Sequence, residues 1–173
     1  PSDPEGTKIA MSKGYTVIPP RALTGEEWAN IKKYTAALPA GQVTPSPKPF
    51  SPDGTPLKLI DEADWTEGMK RTVEFCRLVA KATIGRKPVV RIANDPQWGF
   101  SATFGSVGLI LNMGRLGRAW FEAPPMREET LRLLQHELSH DRISDHLNHE
   151  FAEEIARLGA KLALAIFDDP AVF

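Results

Sequence analysis

Ten of the 15 prolines fall within residues 1–60. Proline removes an amide donor, fixes its own φ and restricts the residue before it. A stretch such as TPSPKPFSPDGTP (44–56) can therefore be neither a helix nor a central strand. It reads as an extended, turn-rich arm, either a linker or a strap anchored by Phe50 and Leu57. One helix is expected ahead of it. Thr24 and Glu27 form a T-x-x-E capping box, and GEEWANIKKYTAAL follows until Leu38-Pro39 stops it. Residues 1–60 thus make a proline-rich arm with one short helix, and the folded core is expected from residues 61–173.

Within that remainder, DWTEGMKRTVEFCRLVAKAT places Met69, Val73, Cys76, Val79 and Ala80 at helical spacing, with Asp64 or Thr66 as the cap. Strands are predicted at 89–94, 100–105 and 107–113, the last two joined as a hairpin around Gly105-Ser106. Gly108 is expected to mark a bulge. GRLGRAWFEAPP reads as a loop anchored by Leu116, Trp120 and Phe121. Pro124-Pro125 then opens a helix over MREETLRLLQHELSH, with acidic residues in its first turns. A final helix over roughly 145–167 carries Leu147, Phe151, Ile155, Leu158, Leu162 and Ile166 along one face. The order predicts an α+β fold: a small antiparallel or mixed sheet packed on a helix, then a C-terminal helix.

A net charge of −1 gives no general affinity for nucleic acid or anionic membrane. No apolar run reaches the roughly 18 residues of a membrane span. With one cysteine, Cys76, no internal disulfide can form. That fits a reducing, cytoplasmic setting, and a helix-interior cysteine reads most simply as a small buried hydrophobe. The chain opens PSDPEGTK without methionine, so a fragment of a longer protein is expected.

All four histidines lie in HELSHDRISDHLNH, residues 136–149. His136 and His140 are four apart, so on a helix both imidazoles leave one face, one turn apart. Two nitrogens so placed can bind one tetrahedral Zn²⁺. Glu137 flanks that face as a candidate general base, while Leu131, Leu134 and Leu138 can bury the other side. HExxH alone arises by chance in roughly one chain of this size in 200, too often to stand alone. A third histidine at a fixed later position cuts that chance about 40-fold. His146 is that residue. A continuous helix would rotate it about 240° off the metal face, so the helix must end between 140 and 146. DRISD permits this, since Asp141, Ser144 and Asp145 favour turns and caps.

H136-E137-L138-S139-H140-x5-H146 resembles the zinc motif of zincin metallopeptidases. Metzincins share the spacing but have glycine where this chain has Ile143, and no methionine follows the motif for a Met-turn. The SprT-like, WLM and YgjP-like zincins, with HELxH-x5-H followed by a helix bearing an early aromatic, are closer to HELSHDRISDHLNHEF. That match covers about 30 residues. VTPSPKPFSPDGTPL, VRIANDPQWGFSATFG, LILNMGRLGRAWF and HELSHDRISDHL together resemble the C-terminal part of bacterial or phage proteins pairing a GHKL-type ATPase domain with a zincin-like tail. The resemblance implies a zincin-like domain over 61–173 and a zinc-dependent peptidase. His136, His140 and His146 would hold Zn²⁺, water the fourth position, and Glu137 would act as base. The substrate would be a peptide or protein, and an ATPase domain could share the full-length chain. It also implies an edge strand beside the active helix that binds substrate backbone; 107–112 is the candidate, against an ordinary core strand.

Other readings stay open. Asn112 and Arg115 could stabilise an oxyanion, or fix a loop. Asp141 and Asp145 could orient a ligand imidazole, or cap the turn. Glu150, Glu153 and Glu154 are rival third ligands, or the solvent face. His149 reads as a solvated helix residue, and Trp98, Trp120 and Phe121 as core or loop anchors. Two further functions compete: a non-catalytic zincin-like binding or regulatory module attached to a larger, ATPase-containing protein, and a metal-free helix pair with solvated histidines.

Overall fold

In the computed structural model the described residues are 3–19, 22–34, 36–37, 44, 46, 48–50, 54–143 and 149–170. They fall into two compact units, Pro1–Leu57 and Lys58–Phe173, dividing three residues before the expected boundary.

The first unit contains α1 (Pro4–Ser12) and α2 (Gly25–Lys33). The Thr24–Glu27 capping box forms as read. Thr24 N and Oγ1 donate to Glu27 Oε2 at 2.7 and 2.8 Å, and Glu27 N donates back to Thr24 Oγ1 at 3.3 Å. Helix α1 is a correction to a one-helix arm. Asp3 caps it through Gly6 N, and Pro4 sits in its first turn. Both signals stand in the opening residues. Part of the proline-rich stretch packs back on this helix, where Thr44 Oγ1 donates to Gly6 O at 3.0 Å and Ser46 Oγ to Glu5 Oε2 at 3.1 Å.

The second unit begins with a 3₁₀ turn at Glu62–Asp64, then α3 (Glu67–Ile84), capped by Thr66 and closed by Gly85 in the left-handed conformation. Strands β1 (Val90–Ala93), β2 (Ala102–Gly105) and β3 (Gly108–Asn112) form a mixed sheet in the order β1-β3-β2. β3 runs parallel to β1 and antiparallel to β2. The register sets Val90, Leu109 and Phe104 in one row and Ile92, Leu111 and Ala102 in the next. These rows meet Val73, Cys76 and Val79 of α3 in the core. Two short helices follow, α4 (Met113–Leu116) and α5 (Arg118–Glu122), where a loop was expected. Asn112 caps the first, and Gly117, at φ 81°, separates the two. Helices α6 (Glu128–Ser139) and α7 (His149–Asp168) complete the unit. The result is α+β, with a mixed three-stranded sheet and a C-terminal helix. Among the described residues no helix is long and apolar enough to cross a membrane.

Strand position corrects one expectation. β3 is central and hydrogen-bonded on both sides, so it offers no edge to a peptide. The outer side of β1 is covered by residues 58–60: Ile60 N donates to Ile92 O and Asn94 N to Lys58 O, both at 2.8 Å. Among the described residues β2 pairs with no further strand on its outer side, and it packs against α6.

Gly108 is a point of close approach. It has φ 96°, and a Cβ there would stand 2.2 Å from Val89 O. Gly108→Ala is therefore expected to destabilise this unit by at least ~2 kcal/mol, through backbone strain and displacement of β1. A Cβ on Gly105, in the same hairpin, meets nothing within 4 Å. Gly105→Ala should stay within about 0.5 kcal/mol, and urea midpoints of the two variants check the contrast.

Candidate metal centre

Helix α6 is fixed at both ends before any chemistry is considered. Its start has no side-chain cap. Instead Arg127 donates to Pro124 O at 2.9 Å and Trp120 O at 2.8 Å, with its guanidinium over the Trp120 ring. Leu134 and Leu138 are fully buried and hold the helix to the core. A leucine so buried contributes roughly 1.5–3 kcal/mol. The face they leave uncovered carries His136 and His140, whose ring centroids are 5.5 Å apart.

The helix stops where the third-histidine reading needs it to stop. Ser139 is its last residue and His140 its C-cap. The next turns are tight: Asp141 N donates to Leu138 O at 3.0 Å, and Arg142 N and Ile143 N to Ser139 O at 3.2 and 3.1 Å. His140 Nδ1 lies 2.9 Å from Ile143 O. A carbonyl oxygen can only accept, so this contact assigns the proton to Nδ1 and leaves Nε2 as the ring's acceptor atom. Metal-ligating histidines are characteristically oriented in this way. Phe151, on α7, packs against both imidazoles, with centroids 5.2 Å from His136 and 5.1 Å from His140.

Glu137 meets the Phe104 backbone of β2. It is 8% exposed. Asn112 N donates to Ser101 O, so residues 101, 103 and 105 bond to β3, and Phe104 N–H points off the outer edge of the sheet. Glu137 accepts from that amide, which favours the carboxylate. Burial outweighs it and pushes the pKa up to about 7 from 4.5. In metal-free protein the sign follows. Below about pH 4.5 the carboxyl is neutral folded or unfolded. As pH rises to about 7 the unfolded chain ionises first, so stability declines by about 3 kcal/mol. Glu154 and other carboxylates with lowered pKa values contribute the opposite slope at lower pH. The difference between parent and Glu137→Gln in urea unfolding across about pH 4–8 isolates the Glu137 part.

Asp145 and His146 lie outside the described residues, as do Ser144 and Leu147. The start of α7 is described from His149. Among the described residues no group of three metal-capable side chains occurs. The rival carboxylates have other partners or surroundings. Glu150 and Glu153 are exposed, the latter 3.7 Å from the exposed His149. Glu154 is no solvent-face residue: it is 6% exposed, takes Arg157 Nε at 2.7 Å and lies 3.7 Å from Arg142.

The oxyanion reading of Asn112 is corrected. Its side chain is buried, with both Nδ2 hydrogens given to Asp95 O and Phe100 O and Oδ1 accepting from Asp95 N and Gly114 N. No donor is left for a substrate; Asn112 fixes the 95–100 loop. Arg115 stands exposed at the end of α4, which packs on α5, β1 and β3. Asp141 meets Arg86. Trp98, Trp120, Phe121 and Cys76 are buried as anchors and core, and burial pushes the Cys76 thiol up to about 12. A cavity of about 480 Å³ beside β1 is lined by Leu59, Ile60, Asp61, Glu62, Trp65 and Arg91, and borders none of the predicted site residues.

No protein-family model matches this chain, no curated protein is similar to it in sequence, and no solved structure matches its fold.

Proposed function

We propose that residues 58–173 form a zincin-like, zinc-dependent metallopeptidase domain, with His136, His140 and His146 as the metal ligands. The observation that carries this reading is the end of α6 at Ser139, followed by tight turns through Ile143. A chain that turns there can bring a histidine six residues on back towards the first two. The donor set suits zinc: imidazoles one helical turn apart, one of them oriented by a backbone carbonyl. Zinc held there would polarise a scissile carbonyl and make water a stronger acid. Glu137 would take the proton of the attacking water and pass it to the leaving amine. Phe151 keeps one side of the imidazoles dry.

The non-catalytic module is favoured by one observation, the burial of Glu137 against the Phe104 amide. Zinc uptake followed by incubation with a mixed peptide pool separates the two. Hydrolysis that stops on chelation and returns with zinc is expected. Stoichiometric zinc with no cleavage of peptides or unfolded protein would support the module, which could serve an ATPase domain in a longer chain.

A further inference from the structure

Gly85 ends α3 in a conformation that turns the chain sharply, and Pro88 restrains the exit, so Arg86 leaves the helix at a fixed point. Its guanidinium makes two contacts. It pairs with Asp141 Oδ1, in the residue directly after His140. It also lies over the ring of Phe104, with Cζ 5.5 Å from the centroid. Phe104 belongs to β2, and its backbone N–H donates to Glu137. One side chain thus touches the turn that carries the second histidine and the strand beside the catalytic glutamate. On the other side of the same turn, Arg142 approaches Glu154 of α7 at 3.7 Å, and Arg157 holds Glu154 in place.

We propose that Arg86 is a positioning residue for the metal centre: through Asp141 and the Phe104 ring it fixes the His140 turn against the edge strand. An exposed ion pair by itself adds little to stability. That makes the proposal testable, because the fold should survive loss of this pair while the site loosens. Lysine is no equivalent. It keeps the charge for Asp141 but lacks the planar face that lies on Phe104. The proposal rests on the zinc reading above.

The test uses the full chain and measures zinc affinity by competition with a chromophoric chelator, alongside the thermal midpoint of the metal-free protein. Arg86→Ala and Asp141→Asn are each expected to weaken zinc binding by about 10-fold or more, as loss of outer-sphere support does. The double variant should be no weaker than the worse single, and Arg86→Lys should fall between parent and alanine. Metal-free midpoints should stay within about 4 °C of the parent. Parent-like zinc affinity in both single variants overturns the proposal while leaving the zinc centre standing. So do additive losses, or a fall in midpoint that matches the loss of affinity. A parent that takes up no zinc overturns the zinc reading and this inference together.

Discussion

Glu137→Gln is expected to lower kcat/KM towards peptides by ~10²–10⁴-fold while zinc content stays at the parent level. Glutamine has nearly the volume and shape of glutamic acid, so the space beneath β2 stays filled, and its carbonyl oxygen can still accept from the Phe104 amide. What it cannot do is take a proton. The fall should lie mainly in kcat, because Glu137 is assigned proton transfer and no part of the peptide's resting position. The same substitution removes a buried carboxylate. Metal-free Glu137→Gln should therefore be more stable than the parent above about pH 7. An inactive variant that is also the more stable one cannot owe its inactivity to unfolding. Hydrolysis at the parent rate would show that the base lies elsewhere.

His140→Ala is expected to weaken zinc binding by ~10²–10³-fold. Structural zinc sites bind with roughly 10–16 kcal/mol over four ligands, so one ligand represents about 2.5–4 kcal/mol. His136→Ala should behave alike. His149→Ala is the internal control, since that imidazole is 85% exposed and faces Glu153, 3.7 Å away on the solvent side. Its zinc affinity should match the parent. Equal losses at His149 and His140 would mean that the four histidines bind metal as a loose solvated cluster. Loss at His140 alone would tie the metal to the face that Phe151 covers.

The parts of this fold that a reader of the sequence can place are those set by neighbours in the chain. Thr66 caps α3, and Met69, Val73, Cys76, Val79 and Ala80 are buried along it as their spacing implies. The capping box of α2 and the hairpin at Gly105–Gly108 are local in the same sense. The order of strands is set by pairing between distant residues, and there the reading of 107–112 as a possible edge fails. One signal in the sequence does decide it. GLILN has no polar alternation, and Leu109, Ile110 and Leu111 are buried on both faces, the mark of a central strand. FSATFG, with its Ser, Thr and Gly, has the composition of an edge. Helices α4 and α5 escape because each is under six residues, too short for a period to show.

The candidate site divides in the same way. HExxH gives the shared face of His136 and His140 at once, since four residues of helix fix it. The environment of Glu137 was not legible, because its burial comes from β2, some 33 residues earlier. Nor was the saturation of Asn112, whose partners come from the 95–100 loop and Gly114. The burial of Glu154 is equally hidden in the sequence, because a carboxylate usually faces solvent; Arg157 makes that burial tolerable.

The most direct test of the three-histidine centre is the zinc content of the purified chain, by elemental mass spectrometry, beside a His146→Ala variant. The proposed function expects near-stoichiometric zinc in the parent and much weaker retention in the variant. Equal zinc in both would remove His146 from the centre, and no zinc in either, even when zinc is offered, would contradict a metal centre altogether.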